Sequence, residues 1–280
     1  ISTALIRDSY EGKAMSKVLS VTQAFMLIAP MLAPVLGALI LEVADWKMTF
    51  IVLAALTGVS LAGAFLLEET LPVKERTQSS TLQSILGLRK VAKNPNFTSL
   101  LLVGAIIAAP FMAYLALASY IYIDGFGVSE TTFSMYFALN AAASILGPVM
   151  YMRFGAGSVK KAINAGIIVS IISAVLILTV GDVAPIIFLL SYILYSVVTS
   201  YFRPLISDLL LSATKTDVGA ASSVMNFGFT VIGSIGMVVG SLGWSSYTGG
   251  LGITMLIFIS ITILVWLFVL KAKSIKFDWK

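Results

Sequence analysis

Apolar positions in this chain come in long unbroken runs, not at the spacing of an amphipathic surface. Eight runs, at roughly 18–41, 48–67, 98–122, 132–152, 162–180, 186–211, 219–243 and 251–270, are separated by polar stretches. A hydrocarbon core about 30 Å thick is crossed by about 20 helical residues, so each run predicts one transmembrane helix. Barrel strands do not fit, because they alternate apolar and polar positions and are about half as long. The connections at 180–186 and 211–219 are short enough to be tight turns.

Composition agrees with the pattern. Hydrophobic residues make up 59% of the chain and charged residues 11%, with a mean hydropathy of +1.00, where soluble domains carry about 25% charged residues. There is no cysteine and no histidine, which removes the thiol nucleophile, the disulfide and the commonest acid or base at neutral pH. The net charge of +5 is distributed by loop. Arg7, Lys13 and Lys17, then Lys74, Arg76, Arg89, Lys90 and Lys93, then Arg153, Lys160 and Lys161, then Lys215, and finally Lys271, Lys273, Lys276 and Lys280 occupy alternate connections. The intervening loops hold Lys47 beside Glu42, Asp45, Asp124, Glu130 and Asp182. The positive-inside rule puts the first set, and the carboxy terminus, in the cytoplasm. The bases therefore read as topology signals and contacts with anionic lipid, not as a nucleic-acid groove.

The sequence opens on Ile1-Ser2-Thr3-Ala4-Leu5-Ile6 followed by Arg7-Asp8, the expected end of a ninth helix whose beginning is missing. The longest polar segment, 68–97, separates two complete runs from six. This predicts two six-helix halves with the first truncated: 1–67 holding the end of its fourth span and its fifth and sixth spans, 68–97 a cytoplasmic linker, and 98–280 a complete second bundle with a basic tail. Within the linker, Leu82, Ile85 and Leu86 share a helical face ahead of Arg89, Lys90 and Lys93, which fits either an amphipathic helix on the inner leaflet or a disordered connection. Setting Gln23 against Asn226, an offset of 203, also aligns Ser20 with Ser223, Val21 with Val224, Ala33 with Gly236 and Gly37 with Gly240, as parallel internal repeats require.

The first run carries Ala29, Ala33 and Gly37 on one stripe and Pro30, Pro34 and Ala38 on the next. Small residues every fourth position let helix backbones approach closely in lipid, and the prolines bend the helix. The seventh run repeats the idea with Gly233, Gly236, Gly240 and Gly243. Static packing accounts for any single glycine, whereas two such helices at matching repeat positions favour a moving interface between halves.

The segment Ala29-Pro30-Met31-Leu32-Ala33-Pro34-Val35-Leu36-Gly37-Ala38 resembles the antiporter motif of drug-exporting proteins of the major facilitator superfamily. Ile6-Arg7-Asp8 with Gly12, Tyr114-Leu115-Ala116-Leu117-Ala118-Ser119, Phe126-Gly127-Val128-Ser129-Glu130, Phe137-Ala138 and Gly219-Ala220-Ala221-Ser222 are similar to the Bcr/CflA branch of drug-resistance proton antiporters. Ala33 and Ala38 stand where the family motif usually has glycine, and Tyr120 where this branch commonly has proline. The resemblance implies an all-α integral membrane bundle of the major-facilitator type, with eight complete spans plus the end of a ninth. It further implies proton-coupled efflux of small amphipathic compounds by alternating access in the bacterial inner membrane. No cofactor is implied beyond the proton gradient, and the expected assembly is a monomer. Asp8 corresponds to an acidic residue that in this family pairs with a basic loop of the first half as a cytoplasmic gate. Arg153-Phe154-Gly155 with Lys160-Lys161 looks like a degenerate second copy of that loop, or a loop that only sets topology.

Charge inside a span is expensive in hydrocarbon and usually functional. The sixth run supplies Arg203, beside Pro204, and Asp208. Arg203 either faces a central cavity or snorkels to the interface, and Asp208 reads as interfacial and structural. The mid-span amides Gln23, Asn140 and Asn226 need partners away from lipid. Phe111, Tyr114, Tyr120 and Tyr122 crowd the third run, and aromatic faces bind amphipathic cations. The substrate-cavity candidates are thus Gln23, Phe111, Tyr114, Asn140, Arg203 and Asn226, with Pro30, Ala33, Pro34 and Gly37 as the conformational motif. No acid pair or metal-ligand set points to an enzyme. A facilitator-type importer or exporter of a sugar or metabolite is the competing function, against which the proline helix argues.

Overall fold

The computed structural model describes residues 33, 36–66, 81–154, 158–212 and 218–272. Gln23, Asp8, Pro30 and Pro34 lie outside these residues. The described elements are helices joined by turns. Seven of the described helices are long and apolar enough to cross a membrane. They match the second to eighth runs, and residues 36–43 of the first run are also helical. The chain divides into two units, one of residues 1–79 with 130–138, the other of 80–129 with 139–280.

In the first unit, helix α1 (Trp46–Phe65) is capped by Asp45, whose carboxylate accepts from the Lys47 amide at 3.1 Å. It is apolar on every face and has no buried residue, as suits a helix solvated by lipid. Thr57 and Ser60 donate their hydroxyls to the carbonyls of Leu53 and Leu56, at 2.8 and 2.9 Å, so neither carries an open donor into hydrocarbon.

The second unit is built around one helix. After the short α2 (Thr81–Ala92), Asn94 accepts from the amides of Asn96 and Phe97, and Pro95 occupies the first helical turn of α3 (Pro95–Ser119). Proline is at home there, since that amide has no helical partner. A π-helical stretch, Tyr120–Gly125, continues α3. Then follow α4 (Glu130–Ser144), whose residues 130–138 belong to the first unit, α5 (Leu146–Phe154), α6 (Val159–Val180), α7 (Pro185–Ser212), α8 (Val218–Gly240) and α9 (Tyr247–Lys271). Helix α3 is packed by α7, α8 and α9, and Phe97, Leu100, Ile107 and Tyr114 are fully enclosed.

The fourth run, expected as one span, is interrupted at Ile145. Pro148 has no amide hydrogen to offer the Ser144 carbonyl, so the helical ladder breaks there. Ser144 turns its hydroxyl back to the Asn140 carbonyl at 2.9 Å. Just past the break, Gly147 lies against α7, where a Cβ would stand 2.5 Å from the Tyr201 amide nitrogen and 2.6 Å from the Val197 carbonyl oxygen.

The glycines of the seventh run have a definite partner. A Cβ at Gly233 would meet Met112 at 2.8 Å, one at Gly236 the Ala109 carbonyl, and one at Gly240 the Ala113 methyl at 2.7 Å. These three glycines seat α8 on α3 inside the second unit, as static packing predicts. Among the described residues a Cβ at Gly243 would meet nothing within 4 Å.

Candidate substrate-contact site

The aromatic residues of α3 separate by face. Tyr114 is fully enclosed, stacked on Tyr192 of α7 with centroids 4.0 Å apart and planes at 23°, and next to Phe188 at 6.5 Å. Tyr122 meets the same Phe188 edge-on at 5.4 Å. Tyr195, one turn below Tyr192, donates its phenol to the Ile107 carbonyl of α3. These rings form the joint between α3 and α7. Phe111 is half-buried and Tyr120 exposed, its ring 5.6 Å from that of Tyr247 and tilted by 34°.

The mid-span amides also separate. Asn140 is buried and accepts from the Ser196 hydroxyl at 2.8 Å, tying α4 to α7. A buried polar group in lipid requires such a partner, and this one also fixes the rotation of α4 above its break. Arg203 is exposed and lies seven residues past Ser196 on the same side of α7, about two turns along. Asp208 accepts from the Tyr151 phenol of α5 at 2.9 Å, a second polar tie to α7, this one from α5. Asn226 is exposed on α8. In the first unit Ala33 is exposed and Gly37 half-buried, with nothing among the described residues within 4 Å of a Cβ placed at Gly37.

Asn226 has company that the sequence reading passed over. Ser223, Asn226, Thr230 and Ser234 are all exposed and recur at steps of three, four and four residues, so they form one polar stripe on α8. The stripe lies about a quarter-turn round from the glycines that seat α8 on α3. Ser223 and Ser234 return their hydroxyls to the carbonyls of Gly219 and Thr230, at 3.0 and 2.9 Å. That satisfies the donors while leaving oxygen lone pairs and the Asn226 amide to face outward. A polar stripe does not face hydrocarbon at no cost, so this face of α8 suits a wetted surface. The helical spacing of the three hydroxyls around Asn226 was the signal.

A family model of the Major Facilitator Superfamily matches residues 1–237. The chain belongs to the major facilitator superfamily. Within that superfamily it is 29% identical over 244 residues to an uncharacterised MFS-type transporter, YdgK, of Bacillus subtilis (strain 168), covering 84% of this chain and 60% of that protein. It is 30% identical over 146 residues to the multidrug resistance protein MdtL of Klebsiella pneumoniae (strain 342), which is 52% of this chain and 36% of that one. It is 29% identical over 167 residues to a bicyclomycin resistance protein homolog of Haemophilus influenzae, covering 55% and 39%. The chain thus spans 60% or less of the length of these curated relatives. As a superfamily member it is an all-α, multi-pass membrane protein, and the expectation of a transporter stands.

Proposed function

We propose that this superfamily member works in a secondary exporter that moves small amphipathic compounds out of the cell in exchange for protons. The observation that carries this reading is the similarity to relatives named for multidrug and bicyclomycin resistance, joined to the proline-containing motif at 29–38. Residues 1–67 then belong to a first six-helix half, 68–97 to a cytoplasmic linker and 98–280 to the second half, with the protein acting as a monomer in the inner membrane. The polar stripe of α8, with Asn226 at its middle, supplies hydrogen-bonding groups to the substrate path, and Arg203 sets charge preference nearer the basic end.

Efflux of several lipophilic compounds by the whole transporter, in vesicles with an imposed pH gradient, tests the proposal. Transport should follow the gradient and stop when an ionophore collapses it; efflux indifferent to the gradient would remove proton coupling. In the same assay Arg203→Gln should change the order of substrate preference or the pH dependence, because a desolvated charge acts strongly at short range. A profile equal to the parent's for every compound and pH would assign Arg203 to the interface alone.

The orientation is open to direct labelling, since the chain contains no cysteine. In intact cells a membrane-impermeant thiol reagent should label Ser129→Cys and spare Ser79→Cys and Ser274→Cys until the membrane is opened. Labelling of the cysteine at 274 from outside would reverse the topology.

A further inference from the structure

The side-chain amide of Asn140 is only half used. Asn140 is 3% exposed, and its Oδ1 accepts from the Ser196 hydroxyl at 2.8 Å. Its NH2 group carries two donors that make no hydrogen bond among the described residues, yet the nitrogen is not sealed off from open space. We propose that Asn140 is a specificity-determining contact of the exporter proposed above, on which this role rests. It presents its donors to a strong acceptor oxygen on the transported compound, such as a carbonyl, sulfoxide or phosphoryl group, and Ser196 is the residue that positions it.

Depth makes the open donors meaningful. Asn140 comes ten residues after Glu130, where α4 begins, which is about 15 Å along a helix and so near the middle of a hydrocarbon core about 30 Å thick. Ser196 lies eleven residues into α7, at a matching depth. An amide nitrogen left without a partner there is costly, unless something that enters from water completes it. The α8 stripe offers lone pairs as well as an amide. At Asn140 the oxygen is taken up by Ser196, so what remains selects for acceptors. A site built to bond an acceptor rejects the analogue that lacks one, since its own donors are then left unpaired.

Ser196 departs from its neighbours in a way that fits this role. On α7, Ser191, Thr199, Ser200 and Ser207 each return the hydroxyl to a carbonyl of their own helix, at 2.8, 3.1, 3.0 and 2.8 Å. That is the default for a hydroxyl in a membrane helix. Ser196 instead sends its single hydrogen across to α4. A hydroxyl hydrogen bonds an amide oxygen and not its nitrogen, so the bond fixes which end of the Asn140 amide is spent and which is offered. Without it the amide is free to turn over within the same shape.

The test is photolabelling of the purified whole chain in detergent by benzophenone, a neutral ketone, with diphenyl sulfoxide and diphenylmethane as competitors that share its two rings. Benzophenone should label residues 136–144 or 189–200 of the parent. The sulfoxide should suppress that labelling at a concentration about fivefold below that needed for diphenylmethane, the worth of one neutral hydrogen bond. Ser196→Ala should narrow the gap to roughly twofold or less, and Ser196→Thr should restore it. A serine that only holds the helices together would shift both competitors alike and keep the gap, which would overturn its positioning role. Labelling confined to other peptides, or equal competition by the two compounds on the parent, would overturn the proposal without any variant. A site that admits only water gives that same equal competition. No gradient is imposed, so a failure of proton coupling in the efflux assay and a failure here are separate results.

Discussion

A Gly236→Leu chain should reach the membrane at a small fraction of the parent's level and melt roughly 6–12 °C lower in detergent, taking overpacking at about 3 kcal/mol and roughly 2–4 °C per kcal/mol for a chain of this size. The position faces backbone. A Cβ there would press on the carbonyl of Ala109 and stand 3.1 Å from its side chain, and a carbonyl fixed in a helix cannot swing aside. One turn away Gly240 is as close to Ala113, so relief at 236 by tilting α8 opens contacts along the seam. In lipid those dispersion contacts hold the helices together, with no hydrophobic effect to replace them. Gly233→Leu should be milder, because its neighbour is the flexible side chain of Met112. Thermal melting monitored by size-exclusion chromatography ranks the two. Equal melting of Gly236→Leu and parent would show that α8 and α3 are not seated as described.

Gly37→Leu should behave oppositely: near-parental abundance and melting, with efflux reduced at least tenfold. A Cβ at Gly37 meets nothing within 4 Å among the described residues, whereas one at Gly236 meets backbone. The expected cost falls on movement, since the stripe through Ala33 and Gly37 reads as the smooth face of a helix that rocks. Efflux normalised to protein level, with melting measured on the same preparation, separates the two effects. Loss of folded protein in proportion to loss of efflux would return the stripe to static packing.

The contrast between these two glycines shows where sequence reading stops. Both lie in small-residue stripes at matching repeat positions, and nothing in the spacing tells which stripe already has a partner. The spans themselves were legible because an apolar run of sufficient length has few alternatives. The face each span turns inward was not. Helix α3 is apolar all round, so periodicity could not say that Tyr114 turns into the α7 joint while Tyr120 turns out. The break at Ile145 was written in Pro148, yet the run reads straight through it because every residue around it is acceptable in lipid. Asn226 drew notice as an amide. Thr230 and Ser234 did not, and Ser223 did so only as a repeat match, since a hydroxyl that bonds its own helix is common in membranes, and only their shared exposure makes them a stripe.

The dependence of α8 on α3 also sets a schedule. When α3 leaves the ribosome its partners α7, α8 and α9 are unmade, and at about 5–20 residues per second the wait for α8 is roughly ten seconds. Until α7 is made, α3 stays in the bilayer without any of these three partners, which its unbroken apolar surface allows. Helix α8, with glycines on one side and hydroxyls and an amide on another, is the less comfortable guest and enters when its seat is ready. The order of the helices along the chain thus spares the polar span a solitary stay in lipid. Moving the α8 segment ahead of α3 in a rearranged gene should slow its insertion and expose it to membrane proteases.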